Sequence, residues 1–155
     1  MAGKYVSATV DVTAQYDSAP IPLGDKCVFE SVVYKSIYNE GSASITVKKP
    51  VYKSGGTANY VTTDGTVTGN RRRPAGVGVG TIATTKYGFI AIAGQVPMRV
   101  GAAAVKGSFI IGASNAIAGA IVAITAAIAT FPPFGTSAST TASGDTTAIC
   151  DLDLE

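Results

Sequence analysis

From Val6 to Ala14 apolar and polar positions alternate: Val6, Ala8, Val10, Val12 and Ala14 against Ser7, Thr9, Asp11 and Thr13. A period of two puts one set on each face of an extended chain, the pattern of a half-buried strand. The same alternation returns near the other end, where Ala148, Cys150, Leu152 and Leu154 interleave with Ile149, Asp151 and Asp153. Between them, runs rich in β-branched and aromatic residues predict strands at 26–34, 44–52, 59–63, 66–68, 76–83, 87–93, 96–100 and 108–111. Asp64-Gly65, set between YVTT and TVTG, predicts a type I′ hairpin, because both central residues of that turn need positive φ. Breakers recur at short intervals, among them Pro20, Pro22, Gly55-Gly56, Pro74, Gly94, Gly101, Gly112 and Pro132-Pro133. That rhythm fits an all-β fold, a small barrel-like or sandwich domain over residues 21–155. Residues 1–20, polar and closed by Ala19-Pro20-Ile21-Pro22, form an extended N-terminal arm able to pair with another chain.

One segment carries two competing periods. Ala116–Phe131 is apolar almost throughout, and Ile117, Ile121, Ile124 and Ile128 fall at 4-3-4 spacing on one helical face. The β-branched density and the internal Gly119 oppose a helix, and the run divides into two strand-sized pieces, 119–125 and 127–131. Strands are the favoured reading. The run is also shorter than the roughly 20 apolar residues a spanning helix needs, and Pro132-Pro133 stops it. The expectation is therefore no membrane segment. The opening MAGKYVSATVDV has no apolar h-region, so no secretory signal is expected either.

Composition adds limits. A chain of 155 residues with 18 glycines fits one domain and buries roughly 70% of its unfolded surface, enough for a core without a metal or disulfide. The formal net charge is +2, but it is unevenly spread. Residues 1–47 hold three Lys against five acids, residues 48–106 nine Lys and Arg against Asp64 alone, and residues 107–155 four acids and no base. Either the blocks neutralise one another within a subunit, or a basic face of one subunit meets an acidic face of a neighbour.

Most chemistry is missing. The chain has no histidine, which removes Ser-His and Cys-His nucleophile pairs and the commonest metal ligand. Two distant cysteines make no Cys-x-x-Cys site; Cys27 and Cys150 are expected as reduced, buried, small apolar side chains, with a disulfide as the alternative. Gly76-Val77-Gly78-Val79-Gly80 lacks the register and the following helix of a phosphate loop. It reads instead as close backbone approach or bulging in a curved sheet. Asp151, Asp153 and Glu155 lie on one side of a strand, and a solvated face that discourages edge-to-edge pairing is preferred to a cation site. The Thr/Ser-rich stretch 136–144 reads as an exposed loop. No enzyme activity, cofactor or metal is expected.

Arg71-Arg72-Arg73-Pro74 is the sharpest local feature. Three guanidiniums in sequence must lie mostly at the surface, since burying unpaired charge is prohibitive. They suit carboxylates on a partner, with a solvated turn as the bland alternative; nothing interleaves aromatic with basic residues, which argues against nucleic acid. Lys48, Lys49 and Lys53 extend the same basic region.

Four pieces then occur in a familiar order: Pro74–Gly80 (PAGVGVG), Tyr87–Gly94 (YGFIAIAG), Gly101–Gly112 (GAAAVKGSFIIG) and Ala148–Leu154 (AICDLDL). Over residues 50–155 the chain resembles the tailed-bacteriophage capsid decoration, or cement, proteins. The resemblance implies a barrel-like or β-tulip body with an N-terminal extension. It further implies a homotrimer, with a dimer as alternative, bound to the major capsid protein at threefold or quasi-threefold positions on the outer head surface. Location would be the virion, after synthesis in the host cytoplasm. The longer Tyr-rich first half (Tyr34, Tyr38, Tyr52, Tyr60), the apolar Ala/Ile run and Phe131-Pro132-Pro133-Phe134 depart from the family pattern. Candidate capsid-docking residues are Tyr5, Val6, Ala8, Val10 and Val12, as a strand added to a partner sheet, together with Arg71, Arg72 and Arg73. Candidate subunit-interface residues are Ile117, Ile121, Ile124, Ile128, Phe131 and Phe134, as an exposed apolar surface. The alternative is a head-fibre, spike-base or tail-associated structural protein of the virion.

Overall fold

The computed structural model describes residues 10–54, 59–62, 73–100, 104–112, 121–124, 133–141 and 147–154. Ten strands run through them: β1 (Lys26–Phe29), β2 (Val32–Asn39), β3 (Pro50–Lys53), β4 (Tyr60–Thr62), β5 (Pro74–Gly78), β6 (Tyr87–Arg99), β7 (Phe109–Gly112), β8 (Ile121–Ile124), β9 (Gly135–Ser137) and β10 (Thr147–Asp153). No described residue is helical. The protein is all-β and barrel-like.

The pairings close a ring, β2-β4-β3-β5-β6, because β2 also pairs with β6. Among the described residues only the β2–β4 contact is parallel, joining Tyr38 to Tyr60 and Asn39 to Val61. β1 adds to β2 as a hairpin, and β10, β9, β7 and β8 extend the sheet outward from the second half of β6. One core cluster takes a residue from every strand of the ring: Ile37, Val61, Val51, Ala75, and Ile90 with Ile92. β-branched side chains dominate it, Ile above all, and fill the interior of this five-stranded closure. The second cluster includes Phe89 and Met98 of β6, Cys150 and Leu152 of β10, and Tyr52 packed edge-on against Phe134 with ring centroids 5.5 Å apart.

Several expectations are revised by local backbone geometry. The run 26–34 is two strands, because Glu30 (φ 48°) and Ser31 (φ 66°) both adopt left-handed conformation and reverse the chain. The run 44–52 is likewise interrupted. Ile45 bridges Ile82, Lys48 turns the chain at φ 68°, and only from Pro50 does the strand begin. Conversely, 87–93 and 96–100 merge into the single long β6 through Gly94 (φ 96°), where an added Cβ would sit 2.6 Å from the Ser31 carbonyl oxygen. The exposed loop expected at 136–144 begins instead as β9, paired with both β10 and β7. In the Ala/Ile run, the strand reading is met at Ile121–Ile124, which pairs in register with β7; the remainder of that run, and the Asp64-Gly65 hairpin, lie outside the described residues. The glycine repeat makes close backbone approach. Cβ atoms at Gly78 and Gly80 would overlie the carbonyl oxygens of Thr46 and Thr13.

Residues 10–14 do not continue a strand. Asp11 Oδ1 accepts from the Thr13 backbone N–H (2.8 Å) and hydroxyl (2.6 Å), a side-chain-capped turn that replaces the expected alternation. Beyond it, Tyr16 forms an antiparallel bridge with Tyr87, and Gln15 accepts from the Ala83 N–H at 2.8 Å.

Candidate functional site

Four cationic side chains line a cleft of about 460 Å³. Lys26 comes from β1, Lys35 from β2, Lys53 from the end of β3 and Arg73 from the residue before β5. Apolar side chains of Ala75, Ile92 and Leu154 also line it, and Asp153 supplies the one carboxylate among its described lining residues. The backbone fixes this convergence. Lys26 and Lys35 are direct cross-strand partners in the β1–β2 hairpin. The Lys53 N–H donates to the Arg73 carbonyl at 2.8 Å, which holds the ends of β3 and β5 together. The Leu154 N–H donates to the Ile92 carbonyl at 2.9 Å, bringing the end of β10 against β6.

Like charges directly opposite on a sheet are destabilising. Lys35 registers that cost: half-buried, its ammonium is held below the ordinary lysine range first by desolvation, then by the charges of Lys53 and Lys26. A cross-strand Lys pair therefore sits beside two further cations, Lys53 and Arg73. The lining is thus mainly cationic, with small apolar contributions from Ala75, Ile92 and Leu154.

Sequence-expected residues distribute unevenly around this cleft. Arg73 belongs to it; Arg71 and Arg72, with Tyr5, Val6 and Ala8, lie outside the described residues. Val10 and Val12 are half-buried against the chain's own core, in the turn rather than on a free strand face. Phe134, expected at a subunit interface, is fully buried within the subunit, in the core cluster it shares with Tyr52. Ile121 and Ile124 belong to β8, while Ile117, Ile128 and Phe131 lie outside the described residues.

No protein-family model and no curated protein matches the chain. Among solved structures it is similar to the N base of the head fibre gp8.5 of bacteriophage phi29. The identity is 13%, the alignment covers 80% of this chain and 98% of that one, and the TM-score is 0.47.

The two thiols are not poised as nucleophiles. Cys27 and Cys150 are free and buried; burial, with Asp151 adding to it, pushes the Cys150 thiol up to about 12, far from the thiolate a nucleophile needs. Among the described residues no group of three or more His, Cys, Asp or Glu is placed to hold a metal. Asp151 and Asp153 do face solvent from β10, as the alternation predicts. Their role as edge guards does not hold, since β10 is paired on both sides, by β6 and β9.

Lys26 and Lys35 escape a reading by charge blocks, because both fall in the net-acidic first third. The signal that finds them is their pairing across a two-residue turn. That turn carries no Gly or Asn to announce it.

Proposed function

We propose that this chain is a non-enzymatic structural protein on the outside of a tailed-phage head, stabilising the shell as a decoration protein. The supporting observation is positional. Strands β5, β6, β7 and β10, which carry the four pieces resembling decoration proteins, all lie in one run of the sheet, β5-β6-β10-β9-β7. The resemblance thus follows a contiguous structural unit and not scattered strands. In this role each copy binds assembled shell but not dissociated subunits, so shell stability rises with occupancy by mass action.

A second reading comes from the phi29 protein, which by its description is the base of a head fibre. Brought to this chain, that description makes it an anchor present in few copies with a distal part beyond it.

Copy number in purified virions of the source, measured against the most abundant shell protein, tests both. Copies comparable with the shell protein support decoration. A handful per particle supports the fibre base in its place, and absence from particles sinks both readings.

A further inference from the structure

One face of the sheet is built to meet a copy of itself, wherever the protein works. We propose that two copies of this chain pair face to face through the outward side of β6 and β10, about a two-fold axis running across the strands.

The register sets the pattern. On that side β6 exposes Gln95, Pro97 and Arg99, whose partners on β10 are Asp151, Ile149 and Thr147 in turn. Positive charge stands at one end, negative charge at the other, and an apolar pair between them. Ile149 accepts from the Ala138 N–H and donates its own N–H to the Ser139 hydroxyl, both away from β6. Pro97 and Ile149 are therefore a non-hydrogen-bonded pair, the kind whose side chains stand closest, and together they make one ridge. Phe109 of β7, reached from Asp151 through Thr136, adds to the apolar surface on the same face. Ile149 and Phe109 are 37% and 36% exposed, where a solvated outer face calls for polar residues.

A two-fold axis at the Pro97–Ile149 row lays each end of one copy over the opposite end of the other. Ridge then packs on ridge, and Arg99 comes within reach of the second copy's Asp151. Inside one subunit these two residues stand about 13 Å apart along the strands, at about 3.4 Å per residue, too far to pair. Among the described residues neither has another ion-pair partner. The edge-guard role is closed to Asp151, because β10 is paired on both sides, whereas its outward face is open to a second sheet about 10 Å away. The charge order reads the same from either copy, as an isologous contact requires. A partner of uniform charge would be held at one end and repelled at the other. The patch spans only β6, β10, β9 and β7, small for a permanent dimer, so the association is weak and concentration-dependent.

Sedimentation equilibrium of the full chain tests this. Expected is a monomer–dimer equilibrium that weakens as salt rises through about 0.15 M, where the screening length is about 8 Å. Arg99→Glu and Asp151→Arg should each weaken association at least about tenfold, because each substitution acts twice and sets like charges together. Ile149→Ser should weaken it as well. Mixing the Arg99→Glu and Asp151→Arg proteins should restore dimers, since every contact in the mixed pair again joins opposite charges; variants that merely misfold gain nothing from mixing. A parent that stays monomeric at every concentration reached, a trimer indifferent to these substitutions, or a mixture no more associated than its components would each overturn the proposal.

Discussion

At the scale of single residues, two buried or half-buried groups pull the stability of this protein in opposite directions as pH rises. Cys150 keeps its proton to about 12 in the folded chain against an ordinary 9.0. The unfolded chain therefore releases a proton first, and the stability of the buried thiol, fully present below pH 9, is lost progressively as pH climbs toward 12. That window corresponds to about 4 kcal/mol at most. Lys35 acts the other way: held below the ordinary 10.5, it binds fewer protons folded than unfolded, so its cost is relieved as pH rises toward 10.5. Lys35 is only half-buried where Cys150 is fully buried, so its part is the smaller. Denaturant titrations between pH 8 and 11 should show stability falling, and Cys150→Ala should flatten most of that fall while lowering stability at pH 7 by about 1 kcal/mol. An equally steep alkaline limb in the variant would assign it elsewhere.

At the scale of elements, β6 is the strand on which the rest depends, and its length hinges on one residue. Before Gly94 it pairs with β2; from Ala93 onward it pairs with β10. Gly94 lets a single strand serve β2 and β5 on one side of the bend and β10 on the other by taking φ 96°, a conformation that L side chains rarely adopt. Gly94→Val should cost about 2–3 kcal/mol, from backbone strain plus collision with the Ser31 carbonyl, measurable as a lower urea midpoint with an unchanged slope. A variant as stable as the parent would mean that β6 bends without needing positive φ there.

Gly94 also shows where sequence reading stops. As a breaker it is legible, but whether a glycine ends a strand or bends it depends on which partners lie on each side, and those are long-range. β10 is legible because both of its faces see uniform surroundings, so Ala148, Cys150 and Leu152 are inward and Ile149, Asp151 and Asp153 outward, as the alternation predicts. The β1–β2 turn is hidden because Glu30 and Ser31 accept left-handed geometry that their types rarely choose. The cleft is hidden with it: once that turn is missed, Lys26 and Lys35 have no reason to face each other. Arg73 is the part of the site visible from sequence, since a charged run needs no partner to be recognised as surface.

For the whole molecule, the segment around Tyr16 bears on how the body is closed. Tyr16 packs edge-on against Phe89 at 6.4 Å between centroids, donates its hydroxyl to the Asp11 carbonyl at 2.9 Å, and bridges Tyr87. Lys86 and Asp17 pair beside it. Tyr16→Ala should therefore lower unfolding stability by about 2 kcal/mol. Tyr16→Phe, keeping the ring, should lose about 1 kcal/mol or less. If both variants match the parent in a thermal melt, the segment rests on the body without holding it.

The ring and the strands outside it differ in how they meet a load. Within the ring every strand is hydrogen-bonded on both edges, and no strand can leave without breaking two ladders. The outer strands β9, β7 and β8 join it through β10 in the described pairings, with the Tyr52–Phe134 contact as a side-chain latch. A force drawn along β10 shears seven cross-strand pairs with β6 together, whereas a force drawn across it peels them one at a time. The same molecule is thus stiff to traction in one direction and yields like a zip in the other, so the orientation in which it is tethered decides how much pull it withstands.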